Sequence, residues 1–94
     1  MPTDLERPDL YVVARFLERL TRDARPYGKT DLQMAVRLNY TVFKKYLDWM
    51  VAKDLLTLTV DGDGAERVAI TPRGARTYER LVEWIKETVG EHLL

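Results

Sequence analysis

The sequence predicts a mainly α-helical domain that carries one small β-hairpin, in the order α-α-α-β-β-α with a long C-terminal helix. Three observations lead to that class. Apolar residues recur at helical spacing through three segments before residue 54. Between Leu56 and Thr71 the apolar period drops to two on either side of Asp61-Gly62-Asp63-Gly64, which is hairpin turn chemistry. Thr71-Pro72 then restarts a helix, because Thr caps a helix N-terminus and Pro at the first helical position gives up an N–H that has no partner there.

Ninety-four residues suffice for one modest core, and 46% hydrophobic with 32% charged residues is the balance of an ordinary globular chain. A single folded unit is expected over residues 9–94, behind a flexible N-terminus, residues 1–8, that holds Pro2 and Pro8. Cys is absent, which excludes disulfides and thiolate metal sites. Ser is absent too and His92 is the one histidine, so neither a Ser–His nor a Cys–His nucleophile pair can form. Paired carboxylates remain available, but solvated helix faces account better for the 15 Asp and Glu. No enzyme, cofactor or metal site is expected. No apolar run approaches the roughly 18 residues of a membrane helix and the first residues do not resemble a signal peptide, so the expected location is cytoplasmic, with no membrane partner.

Asp9 is placed to cap a first helix whose stripe is Leu10, Val13, Leu17 and Leu20, widened by Phe16. Its opposite face carries Arg15, Glu18, Arg19 and Arg22. Pro26 and Gly28 end it and make a linker. Thr30 and Gln33 have capping-box spacing, so a second helix of about two turns is expected from Thr30, presenting Leu32, Met34, Ala35 and Val36. Leu38 and Asn39 form a turn, and Asn39 caps the next helix.

The third helix, about residues 40–53, divides cleanly on a 100° wheel. Phe43, Tyr46, Leu47 and Met50 share one side, with Asp54 closing the series, and Thr41, Lys44, Lys45, Asp48 and Ala52 cluster on the other. The core face is complete without any of those polar residues. A two-stranded antiparallel hairpin comes next over about 56–71, with Leu56, Leu58 and Val60 alternating in its first strand and Val68 and Ile70 in its second. Its Asp-Gly-Asp-Gly run lacks the ligand series of a calcium loop and reads as turn chemistry. The last helix, 72–89, is about 27 Å long at 1.5 Å per residue and stops near Gly90. Ala75, Tyr78, Val82, Ile85 and Val89 make its stripe, with Leu81 alongside and Trp84 on another face. One stripe suffices to cover a core, so Trp84 implies a further contact.

Formal net charge is zero, but between Arg22 and Lys53 seven Lys and Arg stand against three Asp. A neutral chain with that distribution presents one positive face. The hairpin tip is the opposite, with Asp61, Asp63 and Glu66 against Arg67 alone. Arg73, Arg76 and Arg80 open the last helix, where a phosphate or Glu79 and Glu83 would pair with them. Tyr27, Tyr40, Tyr46, Trp49 and Tyr78 read better as core aromatics than as the lining of an effector pocket.

The stretch LNYTVFKKYLDWMVAKDLL, Leu38 to Leu56, and the hairpin exit VAITPRGARTYERL, Val68 to Leu81, carry a resemblance. In their order and spacing they resemble the winged helix-turn-helix superfamily, and most closely the small archaeal winged-helix DNA-binding proteins that dimerise through a C-terminal helix. The second stretch matches that family's hydrophobic-x-Ile-Thr-x-x-Gly passage from wing to last helix. The resemblance covers most of the chain from Lys29 onward. It implies a helix-turn-helix over 30–53, a wing over 56–71 and a dimerisation helix over 72–89.

It further implies double-stranded DNA as partner and a homodimer, with residues 40–53 as the recognition helix in the major groove. The positions that match DNA contacts are Lys29, Arg37, Tyr40, Thr41, Lys44, Lys45 and Arg67. Arg25 is a further, weaker candidate. Asp48, one turn after Lys44, either pairs with it or accepts from cytosine. The acidic tip argues against a wing seated in the minor groove and leaves Arg67 as its one contact. The positions that match the dimer interface are Tyr78, Leu81, Trp84, Ile85 and Val89. A transcriptional regulator fits this set best. A non-specific, chromatin-type binder would keep the lysine contacts without base readout, and the zero charge with the acidic wing also fits a winged helix that binds protein.

Overall fold

Asp9 caps the first helix, α1 (Leu10–Asp23), by accepting from the Tyr11 N–H at 2.9 Å. The structure is a computed structural model and describes residues 7–90. Most of the expected N-terminal tail, and His92, lie outside the described residues. After α1 come β1 (Tyr27–Gly28), α2 (Lys29–Val36), α3 (Tyr40–Ala52), β2 (Leu56–Val60), β3 (Glu66–Ile70) and α4 (Pro72–Thr88).

The α1 stripe is shifted from the expected one. Val12, Val13, Phe16, Leu17 and Leu20 are buried, whereas Leu10 is 52% exposed. Leu10 falls about 90° from the centre of the buried arc on a 100° wheel, so apolar spacing to Val13 alone misplaced it.

The expected linker is partly a strand. Ala24, in the left-handed region at φ 52°, ends α1, and Tyr27 and Gly28 then pair antiparallel with Val68 and Arg67. The sheet is therefore three-stranded, in the order β1-β3-β2, rather than a lone hairpin. Because the chain passes directly from strand to helix, Gly28 holds the N-cap position of α2 without a side-chain capping bond. The expected Thr30–Gln33 capping box does not form. Thr30 lies inside the helix, and Gln33 Nε2 donates instead to the Leu38 carbonyl at 3.3 Å, bracing the turn into α3. Leu32 and Val36 of α2 are buried, while Met34 is exposed.

Helix α3 buries Phe43, Tyr46, Leu47 and Met50, as its periodicity predicts. Asp54 lies past the helix end, exposed and at φ 61°. Aromatic rings join α1 to α3 within the core: the Phe16 and Phe43 rings stack at 5.6 Å and Phe16 and Tyr46 at 6.3 Å. The Tyr46 hydroxyl also accepts from the Asp9 N–H at 2.9 Å, tying the start of α1 to α3.

In the hairpin only Leu56 and Val68 are core. Leu58, directly opposite Val68, is exposed, as is Val60, because β2 is an outer strand whereas Val68 lies in the middle strand between Tyr27 and Leu58. The turn is held by Asp61, whose Oδ1 accepts from the N–H groups of Ala65 at 3.1 Å and Asp63 at 3.3 Å, and by Gly64 at φ 87°. Thr71 caps α4 by accepting from the Gly74 N–H at 2.9 Å, and its hydroxyl donates to the Asp54 carbonyl at 2.6 Å. Gly74 and Ile85 are buried, Tyr78 packs on the core, and α4 lies against α1. Among the described residues no helix is long and apolar enough to cross a membrane, and no group of three or more His, Cys, Asp or Glu could hold a metal ion.

Candidate nucleic-acid interface

Asn39 sets the start of α3. Its side chain accepts from the Val42 N–H at 2.9 Å, and Arg37, at φ 59°, turns the chain out of α2. With four side chains of α3 committed to the core, Thr41 and Lys45 stand exposed on the other face and Lys44 is half-buried between them and the body of the protein. Tyr40, at the first turn, is exposed too.

Several candidates meet in one cleft. Gly28 at the end of β1, Lys29, Thr30, Asp31 and Gln33 from α2, Tyr40 from α3, and Ala65 and Glu66 from the hairpin line a cavity of about 460 Å³. Lys29 Nζ lies 3.3 Å from Glu66 Oε1, closing the cleft from one side to the other. Lys44 Nζ is 2.7 Å from Asp48 Oδ1. That hydrogen bond is the main cause that holds the Lys44 ammonium above the usual lysine range, with smaller help from Tyr40 and Glu66. Lys44 therefore also feels Glu66 of the cleft.

Arg67 stands apart. It neighbours Glu66 in sequence, so strand alternation turns it to the other face of the sheet. There its Nε donates to Asp61 Oδ2 at 3.0 Å. The Asp61 carboxyl is held down at about 2, first by hydrogen bonding with Asp63 and then by Arg67 and the backbone donors of the turn. Arg37 is separate as well: with Arg15, Glu18, Arg19 and Ala35 it lines a groove of about 250 Å³ between α1 and α2. Arg25 lies over the Tyr27 ring at 5.1 Å, and Asp23 accepts from the Tyr27 hydroxyl, which holds that phenol above its ordinary range.

The structure thus brings together Lys29, Tyr40 and Lys44, sets Thr41 and Lys45 beside them on α3, and leaves Arg37 and Arg67 elsewhere. Sequence reasoning missed Glu66 as a partner of Lys29 and missed Arg15 and Arg19 as neighbours of Arg37. The first pair spans 37 positions and has no local spacing to betray it. The second set sits on two helices whose crossing no periodicity reveals.

On α4 the expected interface residues divide. Ile85 is only 3% exposed and Tyr78 packs on the core of its own chain, whereas Trp84 is 53% exposed and Val89 is open to solvent. Between α1 and α4 runs a mainly apolar groove of about 310 Å³, lined among others by Tyr11, Val12, Tyr78, Leu81 and Val82.

A short helix, a capped turn, an exposed polar helix face and a hairpin leading into a last helix are the parts of one known architecture. The sequence profile described as winged helix-turn-helix matches residues 7–89. The chain belongs to the winged helix-turn-helix family. Among solved structures, F93 from STIV, a winged-helix DNA-binding protein, superposes with a TM-score of 0.77 at 18% identity, over 88% of this chain and 96% of that one. The transcriptional regulator BldR from Sulfolobus solfataricus gives 0.74 at 21% identity, over 88% of this chain and 60% of its own. The PcaV transcriptional regulator from Streptomyces coelicolor gives 0.74 at 18%, over 87% and 58%. The winged-helix chain thus matches nearly all of F93 but well under two thirds of the two regulators. At these identities the likeness establishes a shared winged-helix fold. Comparison with curated proteins returns no match.

Proposed function

We propose that the protein binds double-stranded DNA as a homodimeric transcriptional regulator, with α3 in the major groove. One observation carries the reading: the buried face of α3 is complete with Phe43, Tyr46, Leu47 and Met50, so Thr41, Lys44 and Lys45 are not needed for the core, and of the three only Lys44 is paired, with Asp48. Residues near the N-terminus of such a helix approach base edges. Lys45 serves a phosphate or a guanine acceptor, Thr41 a base edge or the backbone, and Tyr40 and Lys29 flank them from the cleft. Arg37 and Arg67 are assigned to outlying phosphates, since each lies away from that cleft.

The homodimer is supported by apolar surface that one chain leaves uncovered. Leu81 of α4 and the exposed Tyr11 of α1 line the α1–α4 groove, and Trp84, Val89 and Leu10 are further exposed apolar residues of the same two helices and their ends. A second copy's α4 covers that face and doubles the DNA-contacting surface about a two-fold axis. The finer roles of Ile85 and Tyr78 in that contact are packing ones, made through their own chain.

The test is anisotropy titration of labelled duplex DNA across a salt series. Binding should weaken linearly in log K against log salt. The double variant Lys44→Ala/Lys45→Ala should bind more weakly and with a shallower salt slope, while its stability stays within about 0.5 kcal/mol of the parent, as for other exposed positions. Absence of binding at the lowest salt overturns the DNA reading, and unchanged binding by the double variant overturns α3 as the reading helix. A protein-binding winged helix is the second reading. What favours it is that Lys29, Lys44 and Arg67 are already paired with carboxylates of their own chain.

A further inference from the structure

Three of the five cations in the proposed DNA-contacting set are engaged by a carboxylate of the same chain. Lys29 meets Glu66 at 3.3 Å, Lys44 meets Asp48 at 2.7 Å, and Arg67 meets Asp61 at 3.0 Å. All six side chains are at least partly open to solvent, so a phosphate oxygen has access to each cation. Among the described residues, Lys45 and Arg37 have no carboxylate within ion-pair distance. We propose that Asp48, Asp61 and Glu66 are specificity-determining residues that compete with phosphate for these cations. They suppress sequence-independent DNA binding and leave affinity to the base contacts of α3. The proposal rests on the double-stranded DNA reading above and deepens it.

The reason lies in the exchange of ions. A free lysine that neutralises a DNA phosphate releases a condensed counterion, and that release drives non-specific binding. A lysine already held by a carboxylate must leave it first. The abandoned carboxylate then stands beside the phosphate backbone, where it either repels it or takes up a cation from solution. Both outcomes cancel much of the gain. The geometry makes this cancellation hard to avoid. Asp48 lies one turn from Lys44 on the same rigid helix, so the two cannot separate far. Asp61 is fixed by bonds from the Asp63 and Ala65 N–H groups and cannot follow Arg67 toward DNA or withdraw from it. Glu66 faces Lys29 across the cleft from the middle strand of the sheet. It is set there by pairing with Val60.

The proposal is tested with the full chain and a labelled duplex of arbitrary mixed sequence, so that no recognition site is needed. The triple variant Asp48→Asn/Asp61→Asn/Glu66→Gln is compared with the parent across a salt series. A control variant, Glu79→Gln/Glu83→Gln/Glu87→Gln, removes the same number of carboxylates from exposed positions of α4. Each freed cation should steepen the slope of log K against log salt by about 0.9. The triple variant should therefore bind non-specific duplex on the order of tenfold or more tightly near 0.1 M salt, with a slope steeper by roughly two to three. The control should leave the slope near that of the parent. Circular dichroism establishes that each variant is folded. Should the triple variant not fold, Glu66→Gln alone, which alters one exposed pair, should steepen the slope by about one. Equal changes in triple and control variants mean that overall charge is responsible, and overturn the proposal. An unchanged slope in the triple or single variant, while Lys45→Ala weakens binding, overturns it and leaves the DNA reading standing. If neither parent nor variant binds any duplex at the lowest salt, both fall together.

Discussion

Gly74 shows how one hydrogen atom decides a local packing. A Cβ at this position would lie 2.2 Å from the Leu55 carbonyl oxygen and 2.9 Å from Ile70 Cγ1. Helix propensity alone favours Ala over Gly by about 1 kcal/mol. Here the neighbour is backbone, pinned in turn because the same Leu55 carbonyl accepts from the Thr71 N–H at 3.1 Å, so sterics should win. Gly74→Ala is expected to destabilise the fold by about 1–3 kcal/mol, the usual cost of overpacking. Urea unfolding reads this directly, and a midpoint equal to or above the parent's would refute it. The glycine was visible in the sequence as part of the Ile-Thr-x-x-Gly passage. Its reason was not, because Leu55 reaches it from another element.

The hairpin is the element whose behaviour depends most plainly on pH. Asp61 titrates near 2 in the folded chain against an ordinary 3.8. A carboxyl depressed by folding contributes its stabilisation fully above the unfolded value and loses it as pH falls through the folded one. The turn should therefore hold unchanged down to about pH 4 and loosen toward pH 2. Amide NMR shifts of Asp63, Gly64 and Ala65 report this loosening, and Asp61→Asn should abolish the part of the transition that belongs to the tip. Shifts that move only with global unfolding would show that Asp61 does not hold the turn. The elements also differ in how openly they are written in the chain. Helix α3 was legible residue by residue, since four core positions repeat at helical spacing and Asn39 caps them. The strand β1 was not, because two residues cannot display alternation and Pro26 nearby signals a loop. The same strand displaced the cap of α2, so one missed pairing caused both errors. Of the proposed interface, α3's exposed face was legible for the same reason its core was. The Lys29–Glu66 pair was not, since it exists only once the sheet has formed.

At the scale of the whole molecule, the proposed DNA reading depends on the pairing of two chains. The 17-residue α4 is capped by Thr71 and Pro72 at one end and stopped near Gly90 at the other. It closes one side of the core through Ile85 and presents Trp84 to solvent. Sedimentation of the parent should show a dimer, and Trp84→Ala should shift it toward monomer. Since Trp84 is outside the core, the variant should keep its helical content. A parent that sediments as a monomer at micromolar concentration removes the proposed pairing. In a two-fold dimer the two α3 helices would have to sit about 34 Å apart to enter successive major grooves.

The order β1-β3-β2 leaves β2 at the margin of the sheet. Its Leu56–Val60 segment is uncharged and rich in β-forming residues, and its Leu58 and Val60 are uncovered. Such a margin is a template on which a second chain can add a strand, the first step toward aggregation. Asp61, Asp63 and Glu66 stand directly beyond it, where natural sequences place gatekeeper charges. The acidic tip that suits DNA poorly therefore suits solubility well: parallel, in-register growth along β2 would bring like charges from two tips together.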